Sequence, residues 1–195
     1  MTKIFLSLAT VALIAAMAVS FAADSPPAGM TVPHYDSAGR LLQPEGYKTW
    51  VHVGVNLGIG YQENTEEPSE PGQFMNVYMQ PEAYRHYEQT QRFPEKTMLA
   101  LVQYKPEEMG SIARTGLMSG KHVGLSFAVK DSSTFKESWA YFGFATREGF
   151  RDSAEAFPQQ ACYQCHAAHA ADDNVFVQFY PLLRDVYDRR DKAKR

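Results

Sequence analysis

The sequence predicts an α+β fold, mainly β: a curved antiparallel sheet packed against short helices and closed by a C-terminal segment. Three observations carry this expectation. Five runs rich in β-branched and aromatic residues fall between Trp50 and Ala145. The helical patterns are short and marked by proline. The only two cysteines, Cys162 and Cys165, lie late in the chain, after Pro158.

Each element follows from local residue types. Lys3 precedes an apolar run from Ile4 to Val19, shorter than the roughly 20 residues of a membrane span. Ser20-Phe21-Ala22 supplies small residues at the −3 and −1 positions, so residues 1–22 read as a signal peptide cleaved after Ala22. A retained anchor is the alternative, but Asp24-Ser25-Pro26-Pro27 suits a processed leader. Residues 23–33 read as a mobile lead-in linker. Residues 34–188 are long enough for one domain with its own core.

Asp36-Ser37-Ala38-Gly39 reads as a turn. Trp50 to Val55 alternates as a strand, with His52 a surface or hydrogen-bonded histidine. Glu63 to Pro71 is acidic, holds two prolines and reads as a solvated loop. Phe74 to Met79 is a second strand, and Pro81 at the first helical position starts a helix over 82–89. Tyr84 and Tyr87 share one face of that helix, and His86 points to solvent. Thr97 to Tyr104 is apolar enough for a central strand. Met109 to Gly120 is a connection, and His122 to Val129 and Trp139 to Ala145 are further strands. Asp131-Ser132-Ser133 caps a turn between them. A helix is expected over 148–160, and an apolar, partly helical segment over 174–188 interrupted by Pro181. Residues 189–195 form a charged tail. The formal net charge is −3 with no basic stripe, which argues against nucleic acid as a partner.

The chemistry is concentrated in Cys162-Tyr163-Gln164-Cys165-His166. This C-x-x-C-H spacing is the pattern of covalent c-type haem attachment. Residues i and i+3 share a helical face, so two thiols can form thioethers with the vinyl groups on one porphyrin edge. The adjacent His166 then offers a nitrogen to the iron. The tether places His166, rather than His169, beneath the metal with little loop entropy to lose. Three other readings compete. A redox dithiol needs an early βαβ context. A disulfide leaves His166 unexplained. A zinc site with His166 and His169 has two residues between its histidines, where three to five are usual. Aromatic residues make up 13% of the chain, as packing a large flat cofactor requires. Export also suits haem c, whose attachment in bacteria is completed outside the cytoplasm.

Segments around this motif are similar to those of a known family. They are Leu41-Leu42-Gln43-Pro44-Glu45-Gly46-Tyr47-Lys48-Thr49-Trp50 and Val77-Tyr78-Met79-Gln80-Pro81-Glu82-Ala83-Tyr84. They continue with Gly124-Leu125-Ser126-Phe127-Ala128-Val129-Lys130-Asp131, Trp139-Ala140-Tyr141-Phe142 and Val175 to Arg184. Through nearly all of residues 23–195 the chain resembles cytochrome P-460 and the β-sheet cytochromes c′. The resemblance implies a periplasmic homodimer of mostly β subunits. Each would carry one covalent haem c, held by Cys162 and Cys165, with His166 as axial ligand and an open sixth position.

Two branches of that family differ in chemistry. The P-460 enzymes carry a lysine cross-linked to the porphyrin and a distal glutamate, and oxidise hydroxylamine. The β-sheet cytochromes c′ lack the cross-link and bind nitric oxide or carbon monoxide in apolar pockets. Here the cross-linking position aligns with Leu101, the distal glutamate with Ser126 and a distal arginine with Met75. Lys96 lies at an odd offset from Leu101, and Lys105 lies roughly 13 Å further along the strand, so neither replaces the lysine. The first reading is therefore a binder of diatomic gas or a small nitrogen ligand, with Met75, Leu101 and Ser126 against the haem. The second is a hydroxylamine- or nitric-oxide-oxidising enzyme, whose proton acceptor would be Ser126, His122 or a loop carboxylate. The third is an electron-transfer cytochrome serving a redox partner protein. Its sixth ligand would be Met75, Met79, Met98, Met109 or Met118.

Overall fold

A computed structural model describes residues 25–59, 71–108 and 115–193. Residues 1–22, read above as a signal peptide, Met109 and nearly all of the acidic segment read as a loop lie outside these residues.

Among the described residues, seven strands and three α-helices make up the fold. The strands are β1 (Leu41–Leu42), β2 (Val51–Leu57), β3 (Phe74–Met79), β4 (Met98–Glu108), β5 (Leu117–Lys130), β6 (Trp139–Gly143) and β7 (Ser153–Ala154). The helices are α1 (Pro81–Thr90), α2 (Tyr163–His169) and α3 (Pro181–Ala193). Strands β2 to β6 form one antiparallel sheet in sequence order, and β1 pairs with β7. Bulges between His52 and Gly54 and between Gln103 and Pro106 bend the strands locally. The architecture is the α+β, mainly β fold that the sequence predicts.

Strand β4 is central because its residues are apolar on both sides. Leu99 faces a core with Val53, Val77, Met79, Ala83, Tyr87, Leu183 and Val186. Ala100 and Val102 alternate onto the opposite core with Leu41, Trp50, Leu125, Phe127 and Phe142. Helices α1 and α3 cover the first face. Ala83 and Tyr87 come from α1, and Leu183 and Val186 from α3. Burying a side chain such as Leu183 contributes about 1.5–3 kcal/mol.

Four expectations change. Residues 148–160 form no helix. Ala145 bridges Phe150, β7 pairs with β1, and Ala156 bridges Phe142, so this stretch extends along the sheet. Gly149 at φ +145° and Pro158 both oppose a helix there. Pro181 opens α3 instead of interrupting it, because the first helical position needs no N–H partner. Part of the charged tail belongs to the fold: α3 runs to Ala193, and Arg190 pairs with Asp172 at 2.7 Å. At the other end Met30 is buried, and Gln80 Nε2 donates to the Thr31 carbonyl at 2.6 Å. The segment read as a mobile lead-in is fastened at these points.

Candidate functional site

The antiparallel register sets the floor of the site. Val77, Leu101, Ser126 and Gly143 are paired across four strands, so they stand on one face in a row. Met79, Leu99, Ala128 and Tyr141 form the next row on that face. Above these rows lies a cavity of about 440 Å³. Its roof comes from α2 and the segment that follows. Cys162 occupies the N-cap position of α2, and Cys165 and His166 follow one turn on. All three line the cavity, together with Phe176 and Tyr180. Both cysteines are free thiols. Burial, and then neighbouring Cys165, push the Cys162 thiol above its ordinary value. That opposes the reactive thiolate that a redox dithiol needs.

His166 is held in one orientation. Its Nδ1–H donates to the Asn174 backbone carbonyl at 2.8 Å. The Tyr141 hydroxyl donates to the same oxygen at 3.1 Å. The Tyr141 and Phe176 rings flank the imidazole, with centroids 4.3 and 4.5 Å away. Burial lowers the pKa of His166, with the bond to Asn174 opposing it, so the ring is neutral at neutral pH. A carbonyl only accepts, so the proton sits on Nδ1, and Nε2 keeps its lone pair for a metal. Asn174 presents its carbonyl from a left-handed conformation at φ +59°, after Asp173 at φ +41°. Asp173 accepts from Trp139 Nε1 at 3.0 Å and pairs with Lys130 at 2.8 Å. Asp172 accepts from the Tyr87 hydroxyl at 2.9 Å and pairs with Arg190. The carbonyl that orients His166 is thus anchored from β5, β6, α1 and α3.

The site residues expected from sequence are mostly brought together. Cys162, Cys165, His166, Leu101 and Ser126 share the cavity. Met75 does not line it. Met75 pairs with Gln103, one row further out, and Val77 is the β3 residue that pairs with Leu101. His169 is exposed at the end of α2 and is not a lining residue. Among the described residues no group of three His, Cys, Asp or Glu is placed to hold a metal ion. Met79, Met98 and Met118 lie outside the cavity wall. His122 also lies outside it; its Nε2–H donates to the Gly124 carbonyl and its ring stacks on Phe150. Lys96 is engaged with Asp131. Sequence reasoning missed Asn174, Tyr141 and Phe157. The Asp172-Asp173-Asn174 run was the available signal for the first, since Asp and Asn tolerate the left-handed region.

The cytochrome P460 family model matches residues 44–177, which spans the sheet, α2 and Asn174. The chain belongs to the cytochrome P460 family. No curated protein matches the chain. As a member of the cytochrome P460 family it has a haem cofactor, and the cavity fits one. Its walls are predominantly apolar, two free thiols stand a helical turn apart, and a neutral imidazole is fixed with Nε2 available. In this member of the cytochrome P460 family the three groups come from α2 and its N-cap, on the roof, while the sheet shapes the opposite side.

Proposed function

We propose that this protein carries one haem c per chain, attached through Cys162 and Cys165 and ligated axially by His166. It binds neutral diatomic gases such as nitric oxide or carbon monoxide at the open sixth position. One observation carries this reading: among the described residues lining the cavity there is no Lys, Arg, Asp or Glu. Leu101 and Ser126 stand on the sheet side, where an oxidation coupled to proton transfer would need an acceptor. The Tyr141 hydroxyl is committed to the Asn174 carbonyl. An apolar wall favours small neutral ligands over charged or proton-exchanging substrates. When bound, the haem supplies an iron with one exchangeable position. The chain supplies the tether, a fixed neutral His166 and the exclusion of water. Export to the periplasm and assembly as a homodimer complete the proposal, supported by the leader pattern of residues 1–22 and by family resemblance.

The enzyme reading makes opposite demands, and one assay separates the two. Hydroxylamine is offered to the haem-loaded protein with a chemical oxidant, and its intact mass is measured. The gas-binding reading expects no turnover and a mass of chain plus one haem through two thioethers. Turnover, or a mass showing a further cross-link, would overturn it. An electron-transfer cytochrome with axial methionine is disfavoured, because Met75, Met79, Met98 and Met118 all lie outside the cavity lining.

A further inference from the structure

A second cavity, of about 530 Å³, adjoins the first. It is walled by exposed Arg40, Arg151 and Glu155 with half-buried Ser153, so it opens to solvent. Among the described residues, only Ser126 and Phe157 line both cavities. The position of Phe157 is set by a missing side chain. Gly143 ends the row Val77–Leu101–Ser126, and a Cβ built on it would lie 2.4 Å from Phe157 Cζ. Gly143 is not among the positive-φ glycines, so backbone freedom does not explain it. The ring occupies the space its side chain would fill.

We propose that the outer cavity is the access vestibule for the gas ligand and that Phe157, seated on Gly143, is its gate. This rests on the gas-binding reading above. The backbone at the gate is fixed: Phe157 N–H donates to the Tyr141 carbonyl at 2.8 Å, Ala156 bridges Phe142, and Pro158 restrains the next residue. Phe157 is 44% exposed, and its ring rests on a residue with no side chain to wedge it. It can therefore swing into the vestibule by side-chain rotation alone. A neutral ligand passes from the polar vestibule, past the ring, to the sheet side of the inner cavity beside Ser126. The same ring excludes water and larger molecules when seated.

The test uses the haem-loaded protein, wild type against Phe157→Ala and Gly143→Ala. A gate changes the barrier without favouring either end state. Phe157→Ala therefore speeds carbon monoxide association and dissociation by the same factor, on the order of tenfold, and leaves the equilibrium affinity nearly unchanged. Gly143→Ala pushes the ring aside, and its crystal structure shows the two cavities joined. Should that variant fail to fold, Phe157→Ala carries the test. Unchanged rates in Phe157→Ala with normal affinity overturn the gate alone. A wild type that forms no carbon monoxide adduct overturns both the gas-binding reading and the gate.

Discussion

His166 donates its Nδ1–H to the backbone carbonyl of Asn174 at 2.8 Å, and Asn174 sits in the left-handed region at φ +59°. The orientation of the imidazole therefore depends on a backbone conformation eight residues away. Asn tolerates that conformation, glycine adopts it freely, and a β-branched residue does not. Asn174→Gly is expected to keep the iron–histidine stretch seen by resonance Raman at its wild-type frequency. Asn174→Val is expected to lower that frequency and to cost about 1–3 kcal/mol of stability in chemical denaturation.

His166 and His169 should separate cleanly. His166 lines the cavity, whereas His169 is exposed at the end of α2. His166→Ala abolishes normal axial ligation, read as a changed ferrous spectrum. His169→Ala leaves the five-coordinate spectrum intact. The reverse pattern would contradict the assignment.

Asp131, which is not a lining residue of the cavity, is a buried carboxylate that receives hydrogen bonds from Lys96, Ser133, Thr134 and Tyr35. Burial alone would raise its pKa, but the bonds from Lys96, Ser133 and Thr134 outweigh it and hold the carboxyl below the ordinary range. The folded carboxyl thus titrates below the unfolded value of about 3.9. Its contribution is complete above that pH and is lost as pH falls through the folded value. Asp131→Asn should cost on the order of 2 kcal/mol at pH 7. The gap to wild type should narrow below about pH 4. Urea denaturation at several pH values measures both.

Much of the fold was legible because burial imposes periodicity. The apolar run from Met98 to Val102 marked β4 as central, and Pro81 marked the start of α1. The spacing of Cys162, Cys165 and His166 marked the roof of the site. What stayed illegible was set by pairings between distant segments. Residues 148–160 have enough helix formers to suggest a helix, yet bridges to Phe142 and β1 hold them extended. Met75 was expected against the haem, but the connection between β3 and β4 sets a register that pairs Val77 with Leu101. A two-residue offset moves a side chain along the face without turning it over, so alternation alone could not detect it. The role of Phe157 depends on Gly143, fourteen residues earlier, and no local pattern couples them.

The most direct test of the central claim is the absorption spectrum of the reduced protein before and after carbon monoxide is added. A haem held by Cys162, Cys165 and His166 beneath an apolar wall predicts a five-coordinate, high-spin ferrous spectrum that converts fully to a carbon monoxide adduct. A six-coordinate, low-spin spectrum that does not change on adding the gas would contradict it.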